Sequence, residues 1–317
     1  MTEPLPNWET HDVESLREFS RICLIAADLD GTFLESKGHQ LSETLVNLRR
    51  YLSHKRYDVA LTIATGRALA GVRPILLKLQ LPPRIPLILY NGSVIIRNKS
   101  MDAILRRTIK SSVLQRVLSV SEQFPARTYA YVFEQQNGDN FRMIEDIEHV
   151  LGWSRHGRPR FEFNGLQVDW QTSYIPSVDA NPSAIIIEAT SDARILASIE
   201  ELLSDIKGIN TTRSSISFIE IRPVGSNKGT ALAVAAEDLG LNRENLLALG
   251  DNDNDVEMLS WAGIGVSIAG ASRAAIDASD YVCRHGVMQG AVEVLRLVKH
   301  ARRYFFQPEQ KMVKVNR

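Results

Sequence analysis

From residue 22 to about 92, short continuous apolar runs alternate with stretches whose apolar positions recur every three to four residues. ICLIAA, DVALTIA and PLILY have the length and composition of strands buried on both faces, and SETLVNLRRYLSHK and ALAGVRPILLKL between them carry helical spacing. The alternation predicts βαβ units and a parallel sheet covered by helices. It returns after residue 223 as helix NKGTALAVAAEDLG, strand NLLALG, helix NDVEMLSWAG, strand GIGVSI, helix SRAAIDAS, strand YVC and a last helix GAVEVLRLVKHARRYF. The middle of the chain differs. RTYAYVF and FRMI alternate as half-buried strands around an NGDN turn, and SAIIIEAT and ARILASIEELLSDI predict a longer strand and helix. Residues 1–93 and 217–317 therefore predict one discontinuous α/β domain, and residues 94–216 an inserted α+β unit. Residues 1–12 and the polar, basic tail after Phe306 predict loosely ordered ends.

The strand ends are where polar chemistry concentrates. In open parallel sheets ligands sit beyond the carboxyl ends of the strands, so LIAADLDGT delivers Asp28 and Asp30 to that place. Gly31 permits a sharp turn, and Thr32 is placed to cap the next segment. Carboxylates this close repel, and a divalent cation is the simplest neutraliser. LTIATGR ends the next strand on Thr65 and Gly66, a hydroxyl and an unobstructed N–H suited to a phosphate oxygen. GSNKGTAL puts Lys228 at a helix start, and ALGDNDNDVEML follows its strand with Asp251, Asn252, Asp253, Asn254 and Asp255, hard oxygen ligands. Singly each has an ordinary explanation: an Asx turn, a helix-entry turn, a solvated lysine. Jointly, at the ends of successive core elements, they point to a metal-assisted phosphate site. A calcium loop is excluded because DNDNDVEML lacks the glycine and glutamate such a loop requires.

Composition narrows the partners. Lys plus Arg and Asp plus Glu both number 37, so zero net charge argues against nucleic acid. No apolar run approaches the roughly 20 residues of a membrane helix, and the polar, acidic N-terminus is unlike a secretory signal. A cytoplasmic protein without membrane partners is expected. Cys23 and Cys283 sit in apolar runs and read as reduced core residues. No G-x-G-x-x-G follows the first strand, which disfavours dinucleotide binding.

The set Asp28-x-Asp30-Gly31-Thr32, Thr65-Gly66-Arg67, Lys228 and Gly250-Asp251-x-x-Asn254-Asp255 resembles the four motifs of the haloacid dehalogenase superfamily. DLDGTFL, IATGR, LYNGSVI, GSNKGTAL and LGDNDNDVEML are similar to its Cof-like sugar-phosphatase branch, over about residues 22–300. The resemblance implies a Rossmann-like core with an inserted cap, and a phosphomonoester hydrolase working through an aspartyl-phosphate. It implies Asp28 as nucleophile and Asp30 as the acid and base. Magnesium would be held by Asp28, the Asp30 carbonyl and Asp251. Thr65, Gly66, Lys228 and Asn254 would hold the phosphoryl group. Asp255 would orient its loop or pair with Lys228, and Asn91 would shape the pocket at the crossing into the cap. Two stretches depart from the pattern: GVSIAGAS, with Gly270, Ala271 and Ser272 for a glycine-asparagine-alanine, and CRHGVMQGAVEVL, with His285 for an aspartate.

The substrate expected is a small phosphorylated metabolite such as a sugar phosphate, bound by a monomer or homodimer. Cap candidates for contacting it are Trp153, Arg155, Arg158, Arg160, Trp170 and Tyr174, although arginines are usually solvated and aromatics usually core. His149, His156 and His285 lack metal-ligand spacing. The alternatives are a phosphomutase, which the same aspartate pair permits, and a silent metabolite-binding protein. The last would be expected to lack one of Asp28, Asp30 or Asp251, and all three are present.

Overall fold

The computed structural model describes residues 2–7, 9, 13–35, 41–54, 57–134, 147–155, 162–171, 180–189, 193–215 and 217–305. It separates into two compact units, one of residues 1–66, 73–104 and 227–317, the other of residues 67–72 and 105–226.

In the first unit the continuous apolar runs become strands of a six-stranded parallel sheet. Its order is Glu3–Pro4, Tyr281–Val282, Ile264–Ser267, Leu246–Gly250, Leu24–Ala27 and Ala60–Ile63. Every residue of Leu24–Ala27, Leu246–Gly250 and Ile264–Ser267 is buried, so side chains on both faces are covered, as in sheets built from βαβ crossovers. Helix Glu43–Leu52 packs against helix Gln289–Phe305, and helix Lys228–Leu239 against Val256–Trp261. A parallel bridge from Ala64 to Ile88 connects the sheet to a three-stranded one of Pro86–Leu89, Val94–Arg97 and Ala103–Arg106. Strand order sets which carboxyl ends adjoin. Leu24–Ala27 lies between Leu246–Gly250 and Ala60–Ile63, with Ala27 level with Leu249 on one side and Ile63 on the other. Three carboxyl ends are therefore neighbours.

The second unit is a seven-stranded, mainly antiparallel sheet in the order Ile209–Ser215, Phe218–Pro223, Ala184–Ala189, Ala126–Phe133, Glu148–Ser154, Leu166–Trp170, Glu162–Phe163. Alternate residues of its strands, among them Ala130, Leu151, Trp153, Ile187 and Ile221, form a core with Leu114, Val117, Leu196 and Ile199 of helices Ser111–Ser121 and Ala193–Ser204. The unit starts and ends later than the 94–216 segment that the hydrophobic pattern suggests. Val94–Arg97 pairs with Pro86–Leu89 of the first unit, whereas Phe218–Pro223 pairs with Ala184–Ala189 of the second. Leu69 and Ala70 donate their N–H groups to the buried Glu148 carboxylate, each over 2.8 Å, which draws residues 67–72 into the same unit.

The expectation that the first dozen residues are loose is corrected for part of that stretch. Glu3–Pro4 adds an edge strand, Glu3 and Leu5 donate N–H groups to Asp280 and Val282 carbonyls at 3.0 and 2.8 Å, and the Leu5 side chain is fully buried. Cys23 and Cys283 are free thiols, Cys283 buried and Cys23 half-buried rather than core. The NGDN turn, the FRMI run and the tail after residue 305 lie outside the described residues. Among the described residues, no helix is long and apolar enough to cross a membrane.

Candidate active site

The end of the Leu24–Ala27 strand carries the chain into Asp28, whose N–H donates to the Leu249 carbonyl at 2.9 Å and whose side chain is buried. The chain then closes a tight turn in which Gly31 donates to the Leu34 carbonyl at 2.8 Å and has φ +90°, a conformation glycine adopts without a side-chain penalty. A Cβ on Gly31 would lie 2.2 Å from Asp251 Oδ2, so a second demand for glycine is the close approach of the acidic loop. Thr32 does not cap a helix. Its buried hydroxyl donates to Asp251 Oδ1 at 2.9 Å and joins the two loops across the sheet.

Lys228 begins the helix Lys228–Leu239, which is capped by the Asn227 side chain accepting from the Thr230 N–H. Its ammonium is fully buried and donates to Asp28 Oδ1 at 2.5 Å and to Asp255 Oδ1 at 2.6 Å. Asp255, also fully buried, uses its other oxygen to accept the N–H groups of Asp251 and Asn252 at 3.0 and 3.1 Å. It thus both pairs with the lysine and orients the loop that presents Asp251.

Asp28, Asp251 and Asp255 each place a carboxylate oxygen within 4.8 Å of the others. At an effective dielectric constant near 20, two unit charges at such a distance interact by about 3 kcal/mol. One ammonium does not balance three carboxylates. Burial pushes Asp28 well above the ordinary carboxylate range, Lys228 pulls it down, and Asp255 and Asp251 push it up again. Burial, followed by the neighbouring Asp255, raises Asp251 to about 6. Burial lowers Lys228, but Asp255 and Asp28 outweigh it and hold the ammonium above its ordinary range. A buried oxygen cluster short of positive charge fits a hard divalent cation. The Asp30 side chain, half-buried in the following turn, stands outside this trio.

The end of Ala60–Ile63 supplies Thr65 and Gly66, and Thr65 donates its N–H to the Ile88 carbonyl at 2.9 Å. Asn91, after Pro86–Leu89, donates its N–H to the Thr65 carbonyl at 2.9 Å and accepts from Asn254 Nδ2 at 3.0 Å. Its amide also sits where a Cβ on Gly66 would be, 2.8 Å from Nδ2. Tyr90 and Asn91 both have φ +50° and Gly92 has φ +94°, a left-handed run in which asparagine and glycine are tolerated and a tyrosine is strained. Arg67 of the same motif donates its guanidinium N–H to the Gly71 carbonyl at 3.3 Å.

The structure therefore brings together Asp28, Lys228, Asp251 and Asp255 directly, and Thr65, Gly66, Asn91 and Asn254 through short contacts. Of the cap candidates, Trp153 is corrected to a core residue, 1% exposed on the helix-covered face of its sheet. Arg155 pairs with Glu122 at 2.8 Å, and Trp170 stands edge-on to Tyr129 with centroids 5.8 Å apart. Arg158, Arg160, Tyr174 and His156 lie outside the described residues. What sequence reasoning missed is the Thr32 to Asp251 contact; the only available signal was a threonine next to Gly31 in the turn, and that signal also fits a helix cap.

A family model described as haloacid dehalogenase-like hydrolase matches residues 25–295. The HMP-PP phosphatase of Citrobacter koseri is 29% identical over 248 residues, 78% of this chain and 84% of that protein. The 5-amino-6-(5-phospho-D-ribitylamino)uracil phosphatase YcsE of Bacillus subtilis is 28% identical over 284 residues, 88% of this chain and 97% of that one. Among solved structures, a haloacid dehalogenase-like hydrolase from Bacteroides thetaiotaomicron shares the fold with TM-score 0.70 at 23% identity, over 87% of this chain and 98% of that chain.

Proposed function

The chain belongs to the haloacid dehalogenase-like hydrolase family, and from that premise we propose that it is a magnesium-dependent phosphomonoester hydrolase of sugar phosphates or similar small phosphorylated metabolites. The observation that carries the reading is the buried Lys228 ammonium held between Asp28 and Asp255 inside a carboxylate trio at the carboxyl edge of the sheet. A lysine so placed keeps one Asp28 oxygen fixed and leaves the other for attack.

Asp28 Oδ attacks phosphorus in line with the ester oxygen; the new O–P bond forms as the P–O bond to the leaving group breaks. Asp30 gives its proton to the departing alkoxide and later takes one from the water that attacks the aspartyl-phosphate, regenerating Asp28 and releasing phosphate. Such acid and base assistance contributes roughly 10²- to 10⁴-fold. Thr65, the Gly66 N–H, Lys228 and Asn254 hold the phosphoryl oxygens. Asp28, the Asp30 carbonyl and Asp251 would hold the magnesium ion, which when bound supplies charge stabilisation to the phosphoryl group. The unit of residues 105–226 serves as the substrate-selecting cap. A polyol phosphate is favoured within the proposed class, since the Bacillus subtilis relative's name specifies a phospho-ribityl compound.

The test is phosphate release from a panel of sugar, sugar-acid, polyol and heterocyclic phosphates, with magnesium, with chelator and with Asp28→Asn. Release that needs magnesium and vanishes in Asp28→Asn is the expected result. Phosphate moved onto a second hydroxyl of the substrate instead of to water would replace hydrolase by mutase. No turnover of any compound by the folded protein would sink the enzymatic reading.

A further inference from the structure

Glu293 is a buried carboxylate, 5% exposed, in the helix Gln289–Phe305 and far in sequence from every motif residue. Its two oxygens serve one turn. Oε1 accepts from the Arg284 guanidinium at 2.6 Å, and Oε2 accepts the Arg284 N–H at 3.0 Å and lies 3.1 Å from His285 Nδ1. The Arg284 side chain is 38% exposed. An exposed ion pair contributes about 0 to 1 kcal/mol, and burying a carboxylate costs several. The guanidinium contact by itself does not account for the burial, whereas ordering the turn does.

That turn ends on the catalytic loop. Met288 has φ +59°, an uncommon conformation for a residue with a Cβ, and in it donates its N–H to the Thr32 carbonyl at 2.8 Å. Gln289 and Gly290 close back onto the Val287 and Gly286 carbonyls at 2.7 Å each, so the strained residue is clasped from both sides. Thr32 is the residue whose hydroxyl orients Asp251, and a second strut runs from the His285 carbonyl to the Ala269 N–H at 3.0 Å, beside the acidic loop. Strain of this kind persists where the surroundings over-determine it, and it concentrates at functional loops. His285 is one of the two departures in the sequence from the family pattern. An aspartate there would set carboxylate against carboxylate, while the imidazole completes the clasp.

We propose that Glu293 is a positioning residue for the divalent-cation site: acting through the turn from Arg284 to Met288 and through Thr32, it fixes the orientation of Asp251. The inference rests on the reading of Asp28, Asp30 and Asp251 as metal ligands, and the experiment separates the two. Hydrogen-bond partners of ligating carboxylates typically change metal affinity about 10- to 100-fold when removed.

The measurement is the dissociation constant of Mn2+, by titration calorimetry on the full chain, for wild type, Glu293→Gln, Thr32→Val and the double variant, each with its thermal midpoint. Both single variants are expected to bind Mn2+ about tenfold more weakly. The double variant is expected to be no weaker than the worse single one, because the two residues act in series. Wild-type affinity in folded Glu293→Gln, or losses that multiply in the double variant, would overturn the proposal and leave the metal site standing. A wild type that binds no Mn2+ at one site per chain would remove the metal reading and this inference with it. Should Glu293→Gln not fold, Glu293→Asp, which keeps the charge and draws the carboxylate back from the Arg284 N–H, carries the same comparison: weakened Mn2+ binding supports the relay and unchanged binding refutes it.

Discussion

Asn254 donates its side-chain amide to Asn91 Oδ1 at 3.0 Å, which ties the acidic loop after Leu246–Gly250 to the left-handed turn after Pro86–Leu89. Of the groups proposed to hold phosphate, Asn254 and the Thr65-Gly66 turn are thereby registered on one residue.

Asn91 does two jobs that substitution can separate. Asn91→Gly keeps the left-handed backbone and loses the amide, and Asn91→Ala loses both. A neutral hydrogen bond contributes about 0.5–1.5 kcal/mol net, and forcing alanine to a left-handed conformation costs about 1–2 kcal/mol. Asn91→Ala is therefore expected to be less stable to urea than Asn91→Gly by about 1 kcal/mol. Both should lose roughly tenfold in kcat/KM, which about 1.4 kcal/mol of lost positioning corresponds to. Equal stability of the two would show that the backbone conformation carries no strain, and unchanged kcat/KM in both would show that the amide bridge does not position the site.

Lys228 is the only ammonium among the described residues in contact with the carboxylate trio, and it is fully buried. Lys228→Met keeps the chain length and leaves Asp28 and Asp255 without their shared cation. Breaking a buried ion pair by removing one partner costs on the order of 3–5 kcal/mol. The variant is expected to lose about that much in urea unfolding with chelator present, and to recover part of it with magnesium, which would replace the missing positive charge. A loss that magnesium leaves untouched would argue that no cation shares the trio.

The parts of the molecule legible in the sequence are those whose signal is local. Leu24–Ala27, Leu246–Gly250 and Ile264–Ser267 are continuous apolar runs because both their faces are buried, and Asp28 and Asp251 stand out because each follows such a run. Contacts between distant segments leave no such trace. Thr32 and Asp251 are 219 positions apart, and the turn that Glu293 holds reaches the catalytic loop through a backbone hydrogen bond, Met288 N–H to the Thr32 carbonyl, which does not depend on side-chain identity. The two-residue strand Glu3–Pro4 is too short to show a period, and its pairing depends on an edge formed at Tyr281–Val282. Trp153 illustrates another limit: a tryptophan suits a core or a substrate contact by its type alone, and only the packing of its strand against two helices decides that it is core.

Gly31 offers the sharpest separation of backbone strain from site geometry, because the same unit contains a matched control. Gly31 and Gly270 have φ of +90° and +85°, so alanine at either position is strained to a similar extent. At Gly270 a new Cβ meets nothing within 4 Å, whereas at Gly31 it falls 2.2 Å from Asp251 Oδ2. Asp251 is short and already held by Thr32 and by the loop that Asp255 clamps, so it yields only by giving up the Thr32 hydroxyl. Gly270→Ala is therefore expected to lose about 1 kcal/mol of stability and to retain Mn2+ affinity. Gly31→Ala is expected to lose more stability and, in addition, at least tenfold in Mn2+ affinity, about the loss seen when a ligating carboxylate loses its orienting partner. Urea unfolding and calorimetric titration on the two variants check this. Equal behaviour of both would mean that Asp251 moves aside freely, and that its position between Gly31 and Thr32 does not set how tightly the metal is held.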